Sequence, residues 1–114
     1  MHESALIHSL LNIALKVKKE NKLKCISKIT ITAGQMHQII PEVMQESFDL
    51  MKKDFPGFEY AELVMNETPV KIRCRDCHKT ITLSQPDFYC PHCHSSSTEV
   101  ISGNELYIDS LEGE

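Results

Sequence analysis

Two pairs of cysteines, Cys74-Arg-Asp-Cys77 and Cys90-Pro-His-Cys93, constrain this chain more than any other feature. A Cys-x-x-Cys turn presents two thiolates on one side, and two such turns separated by residues 78–89 bring four thiolates to one tetrahedral ion. Zinc is the expected ion, in a structural role. A closed four-sulfur shell leaves no position for a substrate, and hydrolytic zinc chemistry needs an open position and a nearby base, so no enzyme activity is expected here. Rubredoxin-like iron or an iron–sulfur cluster would use the same ligands and is the nearest rival. His78 and His94 follow the pairs directly, so each pair also matches the haem-attachment pattern Cys-x-x-Cys-His. Two haems would need far more apolar cover than the short polar segment between the pairs offers. The five cysteines are an odd number and nothing resembles an export signal, which argues against disulfides.

At 114 residues the chain suits one small domain carrying a smaller metal-stapled module. Twelve basic against sixteen acidic residues give a formal charge of −4, which disfavours a sequence-independent grip on nucleic acid. No apolar run approaches the roughly 20 residues that span a bilayer, and the expectation is a soluble, cytoplasmic protein with no membrane association.

The pattern predicts an α+β fold: a small sheet with two helices, plus an inserted zinc-ribbon-like module. Leu6, Leu10, Ile13 and Val17 repeat at helical spacing over residues 4–20, widened by Leu11 and Ala14, with Ser4 as the expected N-cap and Asn21 as the stop. Ile26–Ala33 alternates as a strand closed by Gly34. Pro41 opens a second helix whose inner face carries Met44, Phe48 and Met51, and Pro56-Gly57 ends it. Ala61, Leu63 and Met65 mark another strand. Short strands are expected at Val70–Ile72, Thr80–Leu83 and Ser97–Ile101, with a turn at Pro86-Asp87. Leu106, Tyr107, Ile108 and Leu111 form a closing strand that returns to the first sheet. The expected division is therefore residues 1–69 with 104–114 as the α+β domain, and residues 70–103 as the zinc module. Cys25 reads as a partly buried, inert thiol rather than a fifth ligand, and the methionines as core filler.

The N-terminus carries a different kind of ligand set. The Met1 amine, the His2 imidazole, the Glu3 carboxylate and adjacent backbone nitrogens form a compact nitrogen and oxygen group, better suited to planar Ni(II) or Cu(II) than to zinc. On residue chemistry alone, an ordinary exposed polar N-terminus accounts for the same residues.

From end to end the chain resembles the HypA/HybF family of hydrogenase maturation factors. The resemblance rests on Met1-His2-Glu3, the helix behind it, the strand ending at Gly34, the second helix, the four knuckle cysteines, and Gly103-Asn104-Glu105-Leu106 leading into the last strand. It implies a nickel metallochaperone, with Ni(II) as transient cargo at His2 and Glu3, joined by the Met1 amine, in residues 1–69 with 104–114. Structural Zn(II) would sit on Cys74, Cys77, Cys90 and Cys93. The implied partners are a HypB-type GTPase and the large-subunit precursor of [NiFe]-hydrogenase, and in some bacteria urease accessory proteins. A monomer and a homodimer are both compatible with so small a sheet. His78 and His94 stand where zinc knuckles commonly have glycine, which leaves a ligand or outer-sphere role open for them, and for His92 beside them.

The alternative is a zinc-ribbon module that binds nucleic acid or protein. Arg73, Arg75 and Lys79, with Phe88 and Tyr89, offer a small basic and aromatic surface for it.

Overall fold

Leucine, isoleucine and alanine crowd the first twenty residues, and Glu3–Glu20 forms the long helix α1. In the computed structural model, which describes residues 3–83 and 88–114, β1 (Ile26–Gly34) follows, then a short 3-10 turn at Gln35–His37 and helix α2 (Pro41–Met51). Strands β2 (Glu62–Thr68), β3 (Val70–Cys74), β4 (Thr80–Leu83), β5 (Thr98–Ser102) and β6 (Leu106–Gly113) complete the order. The strands make two three-stranded sheets, β2-β1-β6 and β4-β3-β5. Strands β3 to β5 thus form their own sheet within the stretch between β2 and β6, an insertion as the pattern predicts. The expected turn at Pro86-Asp87 lies outside the described residues.

The chain divides into two units. The first comprises residues up to Thr32, Ile39–Asn66 and Tyr107–Glu114; the second comprises Ala33–Gln38 and Glu67–Leu106.

The first unit is built around one apolar core. Ile7, Leu10, Leu11 and Ala14 of α1 bury against Ile26, Ile29 and Ile31 of β1, Met44 and Phe48 of α2, and Phe55, Phe58, Ala61 and Leu63. Full burial of an aliphatic or aromatic side chain of this kind stabilises by roughly 1.5–3 kcal/mol. The α1 stripe differs from the expected one: Ile13 is 53% exposed and Ile7 is fully buried. At about 100° per residue the inward line runs through Ile7, Leu11 and Ala14, which carries Ile13 onto a flank. Ser4 lies inside the helix, one residue past its start, and is no N-cap. Thr32, a buried polar side chain of β1, donates its hydroxyl to Asp109 Oδ2 on β6 at 2.5 Å.

The C-terminus of α1 closes by a Schellman arrangement. The Leu23 N–H donates to Lys18 O at 2.9 Å and the Lys22 N–H to Lys19 O at 3.2 Å, with Lys22 in the left-handed region at φ +56. Leu23 then packs against the core, which fixes the exit direction of the chain.

In the second unit β3 is the central strand. Val70, Ile72 and Cys74 face inward and alternate with exposed Lys71 and Arg73. Gly34 and Gly103 mark the closest backbone approach: a Cβ on Gly34 would fall 1.9 Å from the Gly103 carbonyl oxygen, and one on Gly103 would fall 2.5 Å from Val70 Cα. Gly103 also sits at φ +102. Glu105 secures this turn. It accepts from the Thr68 hydroxyl at 2.5 Å and from the Gly103 N–H at 3.2 and 3.0 Å on its two oxygens. The Gly34 N–H donates to Glu105 O at 2.7 Å and the Met36 N–H to Gly103 O at 2.9 Å, so Ala33–Gln38 is tied into the second unit by backbone bonds.

Two consequences are measurable. Lys22→Gly relieves a left-handed lysine and is expected to raise stability by about 0.5–1 kcal/mol, seen as a higher urea midpoint at unchanged slope. The Thr68 hydroxyl, then the backbone N–H groups of Glu105 and Gly103, hold the Glu105 carboxyl below its ordinary value of 4.5. A depressed folded value means the stabilisation is present above that ordinary value and is lost as pH falls through the lower, folded one. Glu105→Gln should therefore lower the melting temperature at neutral pH, and the gap from the parent should close on acidification.

Candidate metal centre

Strand β3 ends at Cys74, and β5 begins shortly after Cys93, so the antiparallel sheet β4-β3-β5 brings the two Cys-x-x-Cys turns together. The turns repeat each other bond for bond. In the first, the His78 N–H donates to Cys74 O at 2.9 Å and the Cys74 N–H to Lys79 O at 2.9 Å; in the second, the His94 N–H donates to Cys90 O at 2.8 Å and the Cys90 N–H to Ser95 O at 2.9 Å. Each turn closes with a left-handed residue, His78 at φ +61 and His94 at φ +62. That conformation explains why glycine suits these positions in such knuckles. It also gives both histidines a backbone role, and neither is among the grouped ligands.

The ligand group among the described residues is Cys74, Cys77, Cys90 and Cys93, with all four Sγ atoms within 4.8 Å of one another. Cys74 and Cys93 Sγ are 3.5 Å apart, and Cys77 and Cys90 Sγ 3.7 Å. Four sulfurs around a tetrahedral zinc, at about 2.3 Å from it, stand about 3.8 Å apart, whereas a disulfide requires about 2.05 Å. The spacing fits a thiolate metal site. Cys74 and Cys90 are buried, Cys77 is half-buried and Cys93 is exposed. Cys25 is a half-buried free thiol that does not belong to the group.

The thiols polarise one another in cross-knuckle pairs. The Cys77 N–H, which donates to Cys74 Sγ at 3.5 Å, together with the Asp76 N–H outweighs burial and lowers Cys74 to about 7. The Ser95 N–H draws Cys93 down, but Cys74, burial, Cys90 and Cys77 together push it up to about 12. Cys90 is lowered, chiefly by the Cys93 N–H, while Cys77 is raised, its bond from the Lys79 N–H being outweighed by burial, Cys74 and Cys90. Each short contact therefore joins a readily ionised sulfur to one that resists ionisation. A bound divalent cation supplies the charge that lets all four ionise.

Around this cluster the polar bonds run from one turn to the other. Ser95 Oγ donates to Asp76 Oδ2 and accepts from the Ser97 N–H at 3.0 Å. The Arg75 N–H donates to Ser97 O at 2.9 Å, and the Thr98 hydroxyl to Phe88 O at 2.8 Å. The Lys79 ammonium donates to His92 Nε2 at 3.1 Å. Asp76 and Ser95 escaped the sequence reading; the only signal for them was that both are small and polar and sit in or beside a knuckle.

Of the N-terminal ligand set, Met1 and His2 lie outside the described residues, and Glu3 is the first residue of α1. The structure brings the four cysteines together and leaves the N-terminal set undescribed.

A two-helix α+β protein with an inserted, thiolate-lined metal module is the class that fold and site define. A sequence profile described as "Hydrogenase/urease nickel incorporation, metallochaperone, hypA" matches residues 1–113. The chain belongs to the HypA family. It is 38% identical over 114 residues to a hydrogenase maturation factor HypA of Moorella thermoacetica, covering 100% of both chains. It is 32% identical over 112 residues to one of Aquifex aeolicus, covering 98% of this chain and 96% of that one. The solution structure of the Ni metallochaperone HypA from Helicobacter pylori shares the fold, with a TM-score of 0.69 over 99% of this chain and 97% of that one at 24% identity.

The raised thiols Cys77 and Cys93, with Cys74 near neutrality, must lose protons when metal enters. Metal binding at pH 7 should release at least about two protons, measurable by calorimetry in buffers of different ionisation enthalpy, and affinity should fall as pH is lowered.

Proposed function

We propose that this protein carries Ni(II) as cargo for the maturation of [NiFe]-hydrogenase. The nickel is held at the N-terminus by the Met1 amine, the His2 imidazole and the Glu3 carboxylate, and Zn(II) is resident on Cys74, Cys77, Cys90 and Cys93. The observation that carries the reading is the profile match over residues 1–113 together with the four-sulfur cluster.

The chemistry supports the division of labour. A chaperone must hold nickel against water and then surrender it, which a terminal nitrogen and oxygen set does better than a closed thiolate cage. Affinity for divalent ions generally favours copper over nickel, so selectivity requires geometry and a docked acceptor. The step is ligand exchange, with no bond made or broken in a substrate, and the protein is not an enzyme. Nickel belongs to residues 1–69 with 104–114, zinc to residues 70–103. The protein works in the cytoplasm with a HypB-type GTPase and the hydrogenase large-subunit precursor, and delivery to urease is the same chemistry with another acceptor.

Nickel calorimetry on protein with a native N-terminus tests this directly. His2→Ala, and separately one extra residue placed before Met1, should each abolish the tightest nickel site, weakening it by at least about 100-fold, while zinc content stays unchanged. Full nickel affinity in both variants would overturn the N-terminal site.

A further inference from the structure

The outward face of β3 carries positive charge that the metal centre does not use. Lys71 and Arg73 are both exposed and point away from Val70, Ile72 and Cys74. In the register of the sheet, Lys71 lies opposite Thr82 and Ser102, and Arg73 opposite Thr80 and Glu99. Residues directly opposite in an antiparallel pair share a face. Arg75, just past the strand, reaches the same face, because its Nη2 lies 4.0 Å from Glu99 Oε2 with both side chains about half exposed or more, 62% and 48%. The two arginines of the chain therefore stand on one surface with Lys71 in a protein of formal charge −4. Among the described residues, neither Lys71 nor Arg73 takes part in an ion pair. Short, exposed Thr80 and Thr82 on the neighbouring strand leave the row open to a ligand.

Spacing indicates what fits. Alternate residues along an extended strand lie about 6.7 Å apart on one side; Lys71 and Arg73 follow that period, and Arg75 stands in the turn just beyond the strand end. An extended peptide with a carboxylate at every second residue has the same repeat. Arginine's planar fork takes a carboxylate through two parallel hydrogen bonds. Single-stranded nucleic acid is a poorer match. Three cations on a net acidic protein with Glu99 set among them give little of the phosphate neutralisation that such binding depends on.

We propose that Lys71, Arg73 and Arg75 on the outward face of β3 form a docking surface for an extended acidic segment of a partner protein, one with Asp or Glu at alternate positions. Glu99 acts as a built-in competitor. It holds Arg75 in the free protein and gives it up when the acidic segment arrives.

The test uses the full-length, metal-loaded chain and a fluorescein-labelled ten-residue peptide of alternating Glu and Thr, read by anisotropy at low salt. A peptide of the same composition with its glutamates in one block, and an oligothymidylate of equal length, serve as comparisons. Saturable binding of the alternating peptide in preference to both is expected. Arg73→Gln should weaken it about two- to fivefold, and Lys71→Gln with Arg73→Gln about tenfold. Glu99→Gln should tighten it about twofold. Raising salt to a few hundred millimolar should weaken it strongly, because the charges are exposed. All three positions are exposed, so metal content and melting temperature serve to confirm folded variants. Absence of saturable peptide binding, equal binding of the blocked peptide, indifference to the double substitution, or tighter binding of the oligothymidylate would each overturn the proposal.

Discussion

Four cysteine sulfurs drawn within 4.8 Å of one another impose the constraint that the second unit depends on. Without a cation, backbone N–H groups ease the ionisation of Cys74 and Cys90, whereas burial and the neighbouring sulfurs hold Cys77 and Cys93 up. The fold nevertheless forces them together. Cys74 ends the central strand of its sheet, and matching backbone bonds close both turns. Apart from Val70, Ile72 and the buried cysteines themselves, the β4-β3-β5 sheet buries little, whereas the first unit has an aromatic and aliphatic core of its own. A divalent ion on the four thiolates would resolve the conflict among the sulfurs and would do for this unit what Phe48, Phe58 and the isoleucines do for the other. Binding energy at such a site is folding energy.

That contrast explains which parts of the structure were legible in the sequence. Cysteine spacing and period-two alternation are local signals, so the ligand group, β1, β3, β4 and the return of β6 to the first sheet could all be read. Helix α1 was legible as a helix but not in its facing. Leu6, Ile7, Leu10, Leu11, Ile13, Ala14 and Val17 cover more than one face, and only packing against Met44 and Phe48 selects Ile7 over Ile13. The left-handed backbone at Lys22, His78 and His94 was hidden for a related reason. Glycine advertises that conformation, whereas lysine and histidine adopt it only because the surrounding bonds require it. For Met1, His2 and Glu3, residue types alone did not separate a metal site from an ordinary polar end.

Long-range closure explains what remained. Nothing local indicates that Ala33–Gln38 belongs with residues after Glu67. The reason is a backbone contact so close that neither Gly34 nor Gly103 can carry a Cβ, locked by a carboxylate, Glu105, that comes later still in the chain. In Gly103-Asn104-Glu105-Leu106 each part has a physical task at that junction: a glycine in the left-handed region, a carboxylate that caps the turn, and an apolar start to the last strand.

Strand β3 shows how such a small protein separates its tasks. Inward-facing Val70, Ile72 and Cys74 are buried, and Cys74 also belongs to the four-sulfur cluster. Outward-facing Lys71 and Arg73 carry no packing duty and stand among exposed neighbours on β4 and β5. Because successive side chains point to opposite faces, the strand can bind a metal on one side and evolve a recognition surface on the other without either constraining the other's chemistry. The two requirements meet only at Glu99 and Arg75, where an exposed ion pair, itself worth well under about 1 kcal/mol, is weak enough to be exchanged for a better one.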